Sequence, residues 1–425
     1  MKETYDVVVA GAGVAGIRVA SALCEKGIRV ALVDPTVRRP QEKSLFIDFS
    51  KFPSSLKSNL KYHPINGHKL INADDPNRDW GKTGEYSTGA VEYWPIFQAL
   101  IGQLPCAVDI IPSAVVNSCD DGNHVEMEIG NRNKTYRVTS KHLIDASGDR
   151  SMVSRRHKTL KQKALIEDDP LVVWMMGVRA VGTFDPDIVF DPIGRDIGST
   201  SWVTPLSDTQ GDIIAAGVSP LSRANLAQRK KTLNNLITFC KEREICEVTE
   251  VTDLLGGVLR SEPISLDNAS RSKLVWQTGQ AAGMTDPLMG EAFSPAYLHA
   301  EALAEHIATG KTPKDFYHYW RYSKEGKMFD YDVMLAMLKR RMLKLEQGIV
   351  GSNFAIYQSI MELMSDAAIE MTLRERKLPM EAYMPLMRKI LLNKELRQTV
   401  TELLGIYAQT LINTNIIPRL KSIVA

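Results

Sequence analysis

An α/β fold is predicted, in which a parallel-sheet lobe is interrupted by an α+β lobe and followed by a helical C-terminal region. Three observations carry this expectation. The valine-rich run Tyr5 to Ala10 leads through GAGVAG into the helical pattern of Ile17, Ala20, Leu23 and Cys24, and a second apolar run, IRVALVD, closes a Rossmann-type β-α-β unit about 30 residues long. Strand-like runs return at Lys141 to Asp145, ahead of ASGDRS, and in KLVWQTG, which precedes a further helical pattern. From Phe316 onward the pattern is almost wholly helical, and ten of the 17 methionines stand at or after Met328.

The remaining elements follow in order. Residues Pro35 to Ala90 break into prolines, glycines and charges, including KSNLKYHPINGHK and NADDPNRDWGKTGEY, and are expected as long functional loops. A helix is expected around Pro95 to Gln103. Alternation marks strands at Ala107 to Val116, His124 to Ile129 and Thr135 to Val138, with DDGN and GNRN as hairpin turns. Ser151 to Lys163 is too basic for a core. Pro170 to Ser219 reads as several strands broken by DPIG and SDTQG, and Ala224 to Glu244 as a charged helix. After Gln280 a loop feeds a helix over 290–308 that Gly310 closes. The expected domains are 1–165 with 254–310 as one discontinuous lobe, 166–253 as an antiparallel-sheet lobe, and 311–425 as the helical region.

A GxGxxG that follows a strand, opens a helix and is answered by a terminal acid points to a dinucleotide. Gly11 permits the tight turn, Gly13 lets backbone approach a pyrophosphate, and Gly16 allows helix to pack closely on strand. Ala12, Val14 and Ala15 complete a turn whose unpaired amides and partial positive charge face the phosphates. Asp34, 18 residues beyond Gly16 and followed by Pro35, would accept hydrogen bonds from ribose hydroxyls, with a strand-end cap as the alternative. The motif alone does not separate FAD from NAD.

Composition excludes several classes. Lysine and arginine total 52 against 50 acidic residues, which leaves no global field to hold nucleic acid. Five cysteines form no CxxC, which argues for a reducing compartment and against a cysteine-based metal site. Cys240 and Cys246, six apart in a segment that reads as helix, are expected as half-buried thiols, a redox pair being the alternative. The eight histidines are scattered without HExxH, so no metal is expected. MKETYDVVVAGAG lacks the features of an export signal, and Leu403 to Pro418 is interrupted by Gln409, Thr410, Asn413 and Asn415, short of a membrane span. A cytoplasmic chain is expected. Lys339, Arg340, Arg341 and Lys344 read as a solvated face, with peripheral contact to a membrane surface or a diphosphate as the alternative.

Two later stretches carry a resemblance. LIDASGDRSMVSRR resembles the second flavin fingerprint of the group that includes para-hydroxybenzoate hydroxylase, halogenases and geranylgeranyl reductases, and GQAAGMTDPLMGEAF resembles its third, GDAAG...P..G.G. Within that group, GGVLRSEP is similar to the GG.IP...P segment of geranylgeranyl reductases and DPLMGEAF to their NPLTGEGI. Their substrate motif Y.W.FP corresponds to Thr200 through Pro205, where Trp202 and Pro205 survive. Gln280 stands where the family has an aspartate, supplying an amide without charge, and Ser147 likewise replaces an aspartate. The resemblance covers about residues 1–34, 143–156 and 254–310.

It implies a para-hydroxybenzoate hydroxylase-like fold with FAD as cofactor, held by the glycine turn together with Val115, Ala146, Ser147, Gly148, Gly279, Gln280, Pro287, Gly290, Glu291 and Ala292. The helix after Gly290 would aim its positive end at the flavin ring. The implied reaction is hydride transfer from reduced flavin to a carbon-carbon double bond of a hydrophobic isoprenoid substrate, lined by Trp174, Met176, Trp202 and Pro205. No second dinucleotide fingerprint is present, so electrons would come from NAD(P)H bound transiently or from a carrier such as ferredoxin. No catalytic proton donor stands out. The alternatives within the superfamily are a lycopene cyclase-like enzyme without net redox change and a flavin-dependent monooxygenase or halogenase.

Overall fold

The computed structural model describes residues 3–36, 44–48, 54–57, 62–73, 79–83, 88–130, 135–148, 153, 171–194, 196–198, 201–220, 225–259, 272–284 and 293–323. The chain divides into two compact units, Met1–Val333 and Met334–Ala425, and every described residue lies in the first.

The N-terminal strand β1 (Glu3–Ala10) is buried on both faces, with Val7, Val8 and Val9 at 1% exposure or less. Val7 and Val9 face a core built largely by helices, whereas Tyr5, Val8 and Ala10 face one built by strand residues such as Val115, Met127 and Ile129. Strand β1 pairs in parallel with β2 (Val30–Val33) on one side and β11 (Thr135–Asp145) on the other. Parallel pairing continues outward to β8 (Asp109–Ile111) beyond β2 and to β17 (Val275–Gln277) beyond β11. The two strands expected at Thr135 to Val138 and Lys141 to Asp145 are thus one. Its first half leaves the parallel sheet to form an antiparallel meander with β9 (Ala114–Asp120) and β10 (Val125–Gly130).

Helix α1 (Val14–Glu25) crosses from β1 to β2 and buries Ile17, Val19, Ala20 and Leu23. It stops at Gly27, whose φ of 79° lets Ile28 N–H return to the Leu23 carbonyl at 3.2 Å. The late helix α5 (Phe293–Ala308) lies along α1, tied by Arg18 to Glu301 at 2.7 Å and Lys26 to Glu305 at 2.5 Å. A short helix α6 (Pro313–Tyr322), started by a Thr312/Asp315 capping box, sends Phe316, Tyr317 and Trp320 into the same core. Residues 313–322 therefore pack with the first lobe, although the expected helical region began at 311.

The second sheet runs β16-β12-β15-β14-β13-β5-β6. Its strands are β5 (Gly67–Asn72), β6 (Trp80–Thr83), β12 (Leu171–Phe184), β13 (Ile188–Ile193), β14 (Trp202–Pro205), β15 (Gln210–Pro220) and β16 (Cys246–Leu259). Helix α4 (Leu226–Glu242), capped by Asn225 accepting from Gln228 N–H at 2.8 Å, covers one face with Leu233, Leu236 and Cys240. The domain boundary expected at 254 falls inside β16, so Gly256 and Gly257 belong to this sheet. The segment left as loops, 35–90, gives β5 and β6 to it. Other described residues there form a small sheet of β3 (Ser44–Asp48), β7 (Thr88–Glu92) and β4 (Tyr62–Pro64), with α2 (Ser54–Lys57), and β7 runs into α3 (Tyr93–Gly102).

Among the described residues no helix is long and apolar enough to cross a membrane, and no group of three His, Cys, Asp or Glu could hold a metal ion.

Candidate functional site

Four parallel strands end at one edge, and the backbone there is tied across them. Gly11 N–H donates to the Val33 carbonyl at 2.8 Å, Ala146 N–H to the Ala10 carbonyl at 2.8 Å and Thr278 N–H to the Asp145 carbonyl at 3.0 Å. The glycine turn, the turn at Ala146–Gly148 and the 3-10 turn Gly279–Ala282 are thereby drawn together at the carboxyl ends of β1, β11 and β17, where ligands bind in open α/β sheets.

The glycines show why side chains are missing. Gly11 has φ of 112°, and a Cβ there would stand 2.2 Å from the Ala146 carbonyl oxygen. One on Gly16 would stand 1.8 Å from the Gly11 oxygen, and one on Gly279 only 2.8 Å from Ala15 Cβ. At Gly13 the reverse holds: a Cβ would meet nothing within 4 Å, so a side chain there is excluded by nothing inside the protein. Gly13 is also the N-cap of α1 without a side-chain cap, and the first turn carries no acid, which leaves its amides for an anion. These features fit the FAD that the resemblance implies. Gly13, Val14, Asp34, Ala146, Ser147, Gly148 and Gln280 are all half-buried around this opening, while Ala12, Ala15, Gly16 and Gly279 are buried behind it.

Asp34 has structural work of its own. Its Oδ2 accepts from Ala12 N–H at 2.7 Å and its Oδ1 from Thr36 N–H at 2.5 Å and Thr36 Oγ1 at 2.7 Å, so it caps the strand end and braces the turn. Pro35 is exposed beside it. Ser147 turns inward, its Oγ donating to buried Asp145 at 2.5 Å and its N–H to the same oxygen at 3.0 Å. Gly148 has φ of 83° and lies next to Gln280, whose Oε1 would be 3.9 Å from a Cβ there. Val115 is 6% exposed and packs in a core cluster with Val8, Ala10 and Val33. Pro287, Gly290, Glu291 and Ala292 lie outside the described residues.

Strand alternation separates the expected substrate residues. Trp174 and Met176 point under α4 into a core with Val178, Ala180 and Leu236, so they pack there instead of lining an open face. Trp202 belongs to the opposite face, since its neighbour Val203 is in that core. Pro205 is buried at the end of β14, opposite Gly211. The face shared with Trp202 carries Met175 and Ile214, all three half-buried, and the buried pair Arg179 and Asp212. Arg179 Nε donates to Asp212 Oδ1 at 3.0 Å, Nη2 to Oδ2 at 3.4 Å, and Nη1 lies 3.7 Å from Glu92 at the start of α3. The Trp202 face is therefore the one turned toward the first lobe.

Two buried groups escaped the sequence reading. Tyr93, beside Asp34, has its hydroxyl pushed up to about 12 by burial and by that carboxylate. Thr278, immediately before the Gly279 turn, shares a 2.9 Å hydrogen bond with His299 Nδ1 of α5. His299 is fully buried against Phe316 and Trp320, its Nε2 has no partner among the described residues, and burial pushes its pKa down to about 3. The only sequence signal was an aromatic-rich stretch, FYHYW, with no sign of what it encloses.

A testable consequence follows for His299. Between its unfolded value near 6.5 and its folded value near 3, the unfolded chain binds a proton that the native one refuses. Native stability therefore falls as pH drops below 6.5, by about 2 kcal/mol at pH 5 from this residue. Denaturant titrations of wild type and His299→Gln at pH 7 and 5 should show the variant's acid loss smaller by that amount. Equal losses would mean that His299 titrates normally.

No family model matches the chain. It is 27% identical to the digeranylgeranylglycerophospholipid reductase of Methanosarcina acetivorans over 337 residues, covering 73% of this chain and 77% of that protein. To digeranylgeranylglycerophospholipid reductase 1 of Methanococcoides burtonii it is 24% identical over 345 residues, covering 76% and 81%. A geranylgeranyl bacteriochlorophyll reductase-like structure from Thermoplasma acidophilum superposes with a TM-score of 0.61 at 17% identity, covering 95% of this chain and 100% of that one. The fold is the expected para-hydroxybenzoate hydroxylase-like one, and the resemblance to geranylgeranyl reductases read from the motifs holds over most of the chain.

Proposed function

We propose that the chain is an FAD-dependent reductase that adds hydrogen across carbon-carbon double bonds of a geranylgeranyl-type isoprenoid lipid. The observation that carries the reading is the meeting of three separate fingerprints at one sheet edge, around an open Gly13. Similarity to reductases of digeranylgeranyl glycerophospholipids supports the substrate class.

When bound, FAD supplies a hydride-donating ring. The chain's own residues hold and orient. The first-turn amides of α1 take the pyrophosphate, and Asp34 Oδ2, which keeps a free lone pair after Ala12 N–H, takes a ribose hydroxyl. Gln280 offers an uncharged amide where a carboxylate would repel accumulating negative charge. Met175, Trp202 and Ile214 give the second sheet a half-buried apolar face on which an isoprenoid chain can lie, in place of the expected Trp174 and Met176. Electrons enter from NAD(P)H bound at the surface or from a ferredoxin-like carrier.

The test is anaerobic. FAD-loaded, reduced protein mixed with a digeranylgeranyl lipid should reoxidise its flavin and yield lipid heavier by two hydrogens per reduced double bond. Intact flavin binding without reoxidation sinks the reductase reading. Lipid-dependent oxygen uptake would identify a monooxygenase instead, and a product of unchanged hydrogen count a cyclase-like isomerisation.

A further inference from the structure

Cys240 and Cys246, six apart in a segment that reads from sequence as one helix, stand on two different elements. Helix α4 ends at Glu242 and β16 begins at Cys246, with the turn between them closed by Ile245 N–H donating to the Cys240 carbonyl at 2.8 Å. Glu244, with φ of 53°, is the only described non-glycine residue in the left-handed region, so the chain accepts a strained conformation to make this turn. The result is that two thiols, 0% and 6% exposed, meet in one core cluster beneath β12. Both thiols are free.

The pair is asymmetric. Cys246 lines a cavity of about 950 Å³ that carries charges of both signs, Lys69, Lys241 and Arg243 with Asp79, Asp185 and Glu247, while Cys240 is not in its lining. We propose that Cys240 and Cys246 form a reversible dithiol-disulfide site, in which Cys246 reacts with a small hydroperoxide entering through the cavity and Cys240 resolves the product.

Position sets the roles: Cys246 lines the cavity and Cys240 does not, so Cys246 is the sulfur that a solute can reach. The interaction between the two thiols also holds that of Cys246 low and, with burial, pushes that of Cys240 up. In the first step Cys246 sulfur attacks the peroxide oxygen, the O–O bond breaks, the leaving alkoxide or hydroxide takes a proton, and Cys246 becomes a sulfenic acid. In the second, Cys240 sulfur displaces the sulfenic hydroxyl as water and the S–S bond forms. The peroxide is reduced by two electrons and the dithiol oxidised by two. An external thiol reverses the change by exchange. The bond would clamp the end of α4 to the first residue of the edge strand β16, whose partner there is Phe184 of β12.

This site is independent of the flavin reading, and its test needs no turnover. Folded full-length chain treated with a small excess of hydrogen peroxide should lose two hydrogens in intact mass, regain them with dithiothreitol, and give one disulfide-linked peptide pair, Cys240 with Cys246. In Cys240→Ser, dimedone should label Cys246 at least tenfold more than it labels Cys240 in Cys246→Ser. No mass loss under conditions where the unfolded chain is oxidised would overturn the proposal. So would a linkage between Cys24 and Cys106, or equal labelling of the two variants.

Discussion

Gly13→Ala is expected to leave the apoprotein within about 0.5 kcal/mol of wild type while weakening flavin binding about a hundredfold, or roughly 2.7 kcal/mol. The added methyl meets no protein atom within 4 Å and Gly13 has φ of −76°, so nothing in the fold opposes it. What it blocks is the close approach of a pyrophosphate to the first amides of α1. Gly16→Ala should behave differently, because its Cβ would lie 1.8 Å from the Gly11 carbonyl oxygen and the backbone must shift to admit it. A stability loss on the order of 3 kcal/mol is expected there, with flavin binding lost as a consequence. Denaturant titration of the apoproteins and flavin-fluorescence titration separate the two effects. Wild-type flavin affinity in Gly13→Ala would show that the pyrophosphate does not lie over this turn.

The second large effect belongs to the buried ion pair that joins β12 to β15 in the second sheet. Asp212 is 0% exposed and Arg179 3%, and two hydrogen bonds join them. Asp212→Ala removes the paired carboxylate from a guanidinium that is almost wholly buried, and a loss of about 3–5 kcal/mol is expected. Replacing both partners with apolar residues, as in Arg179→Met with Asp212→Leu, should recover most of that, since a buried pair exchanged for packed hydrocarbon is close to neutral. Additive losses in this double-mutant cycle would mean that the two residues act separately.

The first lobe was readable because its determinants are local. A strand, a turn that only glycine can make, and a helix follow one another within Tyr5–Cys24, and Gly27 ends the helix where its carbonyls need partners. The segment 35–90 was not readable, because its strands are three to six residues long and pair across long gaps in sequence: Ser44 with Glu92 in the small sheet, and Gly67 with Ile188 across the second sheet. Facing was the other limit. Residues 170–184 announce a strand, yet which parity meets α4 depends on a helix that arrives fifty residues later, and Trp174 and Met176 fell on the covered side. Cys240 and Cys246 show the same gap at shorter range, since a helix end two residues beyond Cys240 sends the chain back and brings two thiols expected on one helix into one core cluster.

The late arrival of β17 bears on how the molecule is made. Its register against β11, Leu143 opposite Val275, is fulfilled only after the ribosome has passed Gln277, more than 250 residues beyond Ala10. About 130 residues separate the end of β11 from the end of β17, so at about 5–20 residues per second the outer flank of β11 stays unmatched for on the order of ten seconds of translation. A nascent chain stalled before Val275 would carry an apolar strand edge ready to pair with a foreign one.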